Sequence, residues 1–182
     1  MTKTYPLIAL ALAVLLFQVP ATARAGDIED CRSKEQVTSA ARLKACNAVI
    51  AANQAAAPDL AFAYYKRAMA ASADPKADQA QVMADVSKAI DIDPRLMEAY
   101  AFRALGYNKA MQYDKAIADL SSAIAIAPER WGLYSLRAMV HAQNKQPKAA
   151  LEDYRHALAL NPPATSAEMI RQRVTRLEQN TP

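Results

Sequence analysis

Glycine is scarce in this chain, with three residues in 182. Phosphate-binding loops, dinucleotide fingerprints and the G-x-S-x-G turn all need glycine at fixed offsets, so none of them is present. Histidine is scarcer still. His141 and His156 are the only two, they lie fifteen residues apart, and a helical metal pair needs an i, i+4 spacing. Neither has a matching Cys, Asp or Glu cluster. Cysteine occurs twice, as Cys31 and Cys46, too far apart for a C-x-x-C redox motif and with no histidine nearby to complete a metal site. Charge of one sign is also missing. The formal net charge is +4, and the signs are intermixed rather than clustered as a nucleic-acid surface requires. No pair of carboxylates stands out as an acid/base couple. The expectation is therefore no enzyme, no metal and no cofactor.

Hydrophobic residues make up 53% of the chain and aromatics only 7%. Abundant alanine with little glycine favours helices, because sheets draw on β-branched and aromatic residues. The first segment stands apart. Lys3 gives a positive start, Leu7 to Val19 is an apolar run broken only by Gln18, and Ala23 and Ala25 fit an A-x-A cleavage site ahead of Gly26. That is the plan of a secretory signal peptide over residues 1–25. The run is short of the roughly 20 residues a membrane span needs, although an uncleaved anchor is the alternative. Cys31 follows "IED", which does not fit a lipoprotein. Loss of Lys3 and Arg24 with the leader would leave 20 basic against 18 acidic residues, a nearly neutral mature chain with no stable membrane span. In an exported chain, an even cysteine count favours a Cys31–Cys46 disulfide. On the chain-entropy model a loop of that length contributes about 3 kcal/mol.

The main signal is a repeat. Pro94, Pro128 and Pro162 each close an amphipathic helix, and the spacing is 34 residues both times. Such a period points to stacked helical units. Aligned on these prolines, Ala89, Ala123 and Ala157 share a column, as do Asp85, Asp119 and Asp153. Val86, Leu120 and Tyr154 share another. Tyr64, Tyr100 and Tyr134 precede Arg67, Arg103 and Arg137, with two extra residues of the first copy placed in the polar turn "SADPKADQ". The stripe of Ile117, Leu120 and Ile124 must be buried, and one helix pair cannot cover it. Stacked neighbours can.

These columns resemble the tetratricopeptide repeat (TPR) over residues 60–162. The resemblance implies an all-α fold, a right-handed α-solenoid of antiparallel helix pairs with about nine helices after the leader. Repeats are expected at 59–94, 95–128 and 129–162, between a degenerate capping repeat at 26–58 and a capping helix at 163–182. Arg stands where the family favours Leu, Ala68, Ala104 and Ala138 stand where Gly is common, and Met111 and Lys145 lie near the usual turn glycine. The recurrent pairs Arg67/Asp85, Arg103/Asp119 and Arg137/Asp153 read as braces of each hairpin. A row of arginines for an acidic partner is the alternative. At the C-terminal end, Thr165 with Glu168 predicts a capping box, and Ile170, Val174 and Leu177 predict one apolar face. Arg171, Arg173 and Arg176 lie on other faces and read as the solvated side of a closing helix; a basic patch for a membrane or an acidic partner is the alternative, for which three arginines are few.

In TPR proteins the first helices of the pairs line a concave groove that can hold peptides. The resemblance would place Phe62, Tyr65 and Met69 there from one repeat. The next would contribute Glu98, Ala101, Leu105, Asn108 and Lys109. The last would contribute Ser135, Met139, Ala142 and Gln143. The positions of the family's carboxylate clamp carry Tyr65, Met69, Ala101, Leu105, Ser135 and Met139, so that clamp is absent. The expected function is an exported, non-enzymatic scaffold or adaptor for a protein or peptide. The alternative is a self-associating envelope-assembly factor, which makes a homo-oligomer the competing partner. The leading Cys pair behind a signal sequence resembles short exported bacterial TPR proteins, which implies the periplasm of a Gram-negative bacterium.

Overall fold

The computed structural model describes residues 25–33, 38–53 and 55–180. Apart from Ala25, the expected leader lies outside them. Nine α-helices and no strand occur among the described residues. They are α1 (Ala25–Arg32), α2 (Ser39–Ala52), α3 (Ala57–Ala71), α4 (Gln79–Ile92), α5 (Met97–Lys109), α6 (Tyr113–Ile126), α7 (Trp131–Gln143), α8 (Pro147–Ala159) and α9 (Ala164–Asn180). Each helix packs on the next along the chain, and α1 also reaches α3. Short connections make successive helices antiparallel. The result is an all-α, TPR-like solenoid.

Local chemistry sets the helix ends. The Thr38 hydroxyl accepts from the Ala41 amide at 3.2 Å and starts α2, and the Asp78 carboxylate accepts from the Ala80 amide at 2.9 Å and starts α4. Between α5 and α6, Met111 takes a left-handed φ of 57°. The Gln112 amide donates to the Tyr107 carbonyl and the Met111 amide to the Asn108 carbonyl. That double bond is the Schellman closure that glycine usually serves. Lys145 repeats it at φ 57°, with Gln146 donating to His141 and Lys145 to Ala142. The two residues noted near the missing turn glycines thus occupy the left-handed position itself.

The capping box expected at Thr165 is not formed. Pro163 fixes its own φ near the helical value and favours an earlier start. The Pro163 carbonyl accepts from the Ala167 amide at 2.9 Å, so α9 begins at Ala164 and Thr165 lies inside its first turn. Glu168 instead accepts from Gln172 and pairs with Arg171 at 3.6 Å.

The core follows the small-residue columns. Ala89, Ala123 and Ala157 have no exposed surface, and Ala68, Ala104 and Ala138 are sealed to the same degree. Alanine here lets helix axes approach while Val86, Leu120 and Tyr154 fill the space beside them. Ile170 closes the last cluster against Tyr134 and Tyr154, with Val174 and Leu177 on the same face.

Every repeat carries the same polar brace. Arg67 grips Asp85 through Nε and Nη2 at 2.7 and 2.6 Å. Arg103 grips Asp119, and Arg137 grips Asp153, at 2.8 Å through both nitrogens. The remaining Nη1 reaches back to the preceding unit, to Asn47, Ser87 and Ser121 respectively. Each guanidinium also lies over a tyrosine ring of its own helix. One arginine therefore ties its hairpin together and bonds that hairpin to the one before. The three arginine pKa values are raised, chiefly by the hydrogen bond to aspartate and against the opposing effect of burial. With their forks filled, these arginines are braces and not a row open to an acidic partner.

The N-terminal end lacks this device: with Leu43, Cys46 and Ile50 of α2 laid over Ile117, Leu120 and Ile124 of α6, Ala45 stands where the aspartate would fall. A disulfide joins Cys31 to Cys46 with Cα atoms 4.9 Å apart. Both cysteines are buried beside Val49 and Ala63.

Candidate functional site

The odd-numbered helices α5, α7 and α9 share a trough. Its first section is a cavity of about 490 Å³ between α5 and α7, closed at one side by Tyr65 of α3. Glu98, Ala101 and Leu105 form one wall, and Trp131 and Leu133 form the other. The second section, about 290 Å³, lies between α7 and α9, lined by Ser135, Met139, Met169 and Arg173 among others. A third section of about 330 Å³ continues past Met139 to Ala142, Gln143, Arg173 and Arg176.

The 34-residue period explains why α9 joins the trough. Adding 34 to Ala101 gives Ser135 and then Met169, and adding 34 to Leu105 gives Met139 and then Arg173. The capping helix thus keeps the register of the first helix of a repeat, and it offers Met169 and Arg173 where earlier copies offer small or apolar side chains. On its other faces it departs from the repeats. Gln172 replaces the buried alanine of the column of Ala138, and Arg171, which falls in the column of the brace arginines, pairs locally with Glu168 instead.

Two of the large apolar side chains left exposed among the described residues, Leu105 at 46% and Met169 at 53%, stand in adjacent sections of this trough. The third, Met111, sits at the α5–α6 turn. Tyr65 is almost buried, and its hydroxyl points at the Met69 sulfur at 3.6 Å. Its pKa is raised, first by burial and then by the neighbouring Glu98 carboxylate. Phe62, Tyr65 and Phe102 stack edge to face at 5.9 and 6.0 Å between centroids, which stops the trough at α3.

The residues expected to line a groove are therefore divided. Tyr65, Glu98, Ala101, Leu105, Ser135, Met139, Ala142 and Gln143 line the trough. Phe62 and Met69 pack onto the first core cluster. Lys109 lines a separate crevice between α4 and α5, with Met83 and Tyr107. Asn108 is half-buried, and its Oδ1 is sealed without a hydrogen-bond partner. Sequence reasoning missed the loop residues Glu129 and Arg130, the aromatic Trp131 and Met169 of α9, and it read Arg173 and Arg176 as part of a solvated helix face or a basic patch rather than as trough lining. The signal that would have found the last three was the period itself, carried one helix further.

Among the described residues no group of three His, Cys, Asp or Glu could hold a metal ion, and no helix is long and apolar enough to cross a membrane. His141 contacts Gln146 through Nδ1 at 2.6 Å, and His156 lies against the Tyr134 ring at 4.1 Å. Both serve packing between α7 and α8.

Residues 105–175 match the family model of the tetratricopeptide repeat. No curated protein sequence matches the chain. Among solved structures, the chain resembles a crystal structure of MamA with a TM-score of 0.58 and 18% identity, over 67% of this chain and 63% of that one. It thus spans less than two thirds of that MamA chain. The first TPR of Spaghetti (RPAP3), solved bound to the HSP90 peptide SRMEEVD, matches with a TM-score of 0.59 and 19% identity, over 66% of this chain and 91% of that one. The TPR2B domain of yeast Sti1, solved as a complex with pHsp70, matches with a TM-score of 0.58 and 23% identity, over 69% and 98%. At these identities the likeness is one of fold.

Proposed function

We propose that this chain, whose helix pairs take the tetratricopeptide-repeat fold, is a non-enzymatic adaptor that holds a linear segment of a partner protein in the trough along α5, α7 and α9. The observation that carries this reading is the exposure of Leu105 and Met169 in adjacent sections of one continuous trough. Large apolar side chains left uncovered along a groove mark an interaction site more often than a solvated face. Met139 and Met169 add adaptable contact, and Trp131 adds an aromatic wall of the type that anchors interfaces. The structures of Spaghetti and Sti1 support it by analogy of fold, since both were solved with bound peptides or partners. The leader-like start, with Lys3, the Leu7 to Val19 run and Ala23/Ala25, supports export to a Gram-negative periplasm.

The test is affinity capture from a cell-envelope extract by residues 26–182, beside a Leu105→Glu/Met169→Glu variant with circular dichroism matching the parent. Loss of one reproducible partner with the variant is the expected result. Equal capture by both forms would move binding off the trough. A stable oligomer of the parent, dissolved by the same variant, would replace the adaptor with a self-associating protein. N-terminal sequencing of the chain from a periplasmic fraction should begin at Gly26.

A further inference from the structure

The trough is electrically divided along its length. In the α5–α7 section, Glu98 and Glu129 are exposed on the lining, with Arg130 beside them. Neither glutamate is in an ion pair among the described residues. The Glu98 charge reaches into the trough, since it contributes to raising the Tyr65 pKa. In the two sections bordered by α9 the lining holds no carboxylate. Arg173 lines both of them, and Arg176 lines the last. Arg173 donates to the hydroxyl of Tyr154, which lines the third section with it, at 3.3 Å. Between the two ends stand Leu105, Met139 and Met169.

From this arrangement we infer that the occupant is a linear polypeptide segment with apolar side chains in its middle, a basic residue at the end lying on α5 and an acidic residue at the end lying on α9. The inference rests on the adaptor reading and specifies its partner. A polyanion is disfavoured, because Glu98 and Glu129 would oppose it over the first section. An acidic or basic segment of one sign would meet like charge at one end. Opposed charges at two ends of an apolar groove also fix the direction in which a segment lies, which apolar contact alone does not. The first and second sections are separated by one interhelical step, roughly 10 Å, the third lies about as far again along the α7 and α9 axes at about 1.5 Å per residue, and an extended chain covers each such distance with about three residues. A segment of six to eight residues therefore reaches from Glu98 to Arg176.

The test is selection of a phage-displayed library of random twelve-residue peptides on the full mature chain and on two half-swapped variants, each checked by circular dichroism. The parent should recover peptides with an apolar middle and opposite charges at their two ends. Arg173→Glu/Arg176→Glu makes both ends of the trough acidic, so its recovered peptides should be basic at both ends. Glu98→Lys/Glu129→Lys should recover peptides acidic at both ends. The parent's consensus peptide should bind either variant about tenfold more weakly, as the loss of one favourable charge contact in exchange for a repulsive one predicts. An apolar consensus with the same charges on all three proteins, abolished by Leu105→Glu, would overturn the inference and leave the adaptor reading standing. Peptides that ignore Leu105→Glu, or no enrichment over the bare support, would overturn both.

Discussion

Toward its hairpin partner, each of α3, α5 and α7 presents the same side chains in the same order: Tyr64, Arg67 and Ala68, then Tyr100, Arg103 and Ala104, then Tyr134, Arg137 and Ala138. On the register of the trough, the same helices and α9 present Tyr65 and Met69, Ala101 and Leu105, Ser135 and Met139, and Met169 and Arg173. The first face repeats because every hairpin meets the same physical demand. Two helices must cross closely, and the polar junction between them must be satisfied. The second face varies because no single packing demand recurs on it: at α3 Tyr65 and Met69 pack into the first core cluster, whereas Leu105 and Met169 stay exposed. A surface that differs at each step can distinguish the two ends of a ligand, whereas a repeated one cannot. The ends of the array sharpen the point. Where Ala45 removes the brace, a covalent bond between Cys31 and Cys46 takes over.

If this division holds, breaking a brace should cost stability, and breaking the trough should not. Arg103→Leu leaves the Asp119 carboxylate and the Ser87 hydroxyl in a half-buried junction without their donor. Removing one partner of such a pair costs about 3 kcal/mol, the lower end of the range for buried pairs because the arginine is 18% exposed. Urea unfolding followed by circular dichroism measures it. The exposed pair of Arg32 with Asp59 is the control, and Arg32→Ala should cost no more than about 0.5 kcal/mol.

The disulfide should rank next, and its effect should be local. Cys31→Ser/Cys46→Ser is expected to cost about 2–3 kcal/mol. Hydrogen exchange should show the loss in α1 and α2, with α5 to α8 protected as before, because repeat stability passes only between neighbours. Equal loss of protection along the whole array would deny that the two ends are held by separate means.

Smaller effects come from the turns and from Tyr65. Met111→Gly should stabilise by about 0.5–1 kcal/mol, because glycine adopts the left-handed φ without the Cβ conflict. The Tyr65 pKa is raised above its ordinary 10.0 in the folded chain, so its neutral form is preferred there. Stability should fall as pH rises above about 10, where the unfolded chain ionises this phenol first. Tyr65→Phe should remove that part of the alkaline loss, read as a smaller difference in denaturation midpoint between pH 9 and pH 11.

Most of the repeated face is legible in the amino-acid sequence. The period, the alanine columns, the Arg–Asp pairing and the cysteine bridge all follow from residues that recur or occur in a single possible pair. The trough was only half legible. Tyr65, Leu105 and Met139 could be placed from the family pattern, but the pattern does not say that Phe62 and Met69 are drawn into the core, nor that Lys109 turns toward α4. Those outcomes depend on tertiary neighbours, such as the Tyr65 ring against Phe62, that the repeat pattern does not specify. The start of α9 differs because Thr165 and Glu168 satisfy a local capping rule that Pro163 overrides two residues earlier. The contribution of Met169 and Arg173 escaped because the repeat ends in sequence pattern at Pro162, while its helical register continues.

The most direct test compares two neighbouring substitutions on α5, Leu105→Glu and Arg103→Leu, for binding of the peptide selected by the parent chain, each under conditions where circular dichroism shows it folded. The account predicts at least tenfold weaker binding by Leu105→Glu with an unchanged unfolding curve, and near-parental binding by Arg103→Leu despite its lost stability. Retained binding by Leu105→Glu together with lost binding by folded Arg103→Leu would contradict it, and would place recognition on the repeated face.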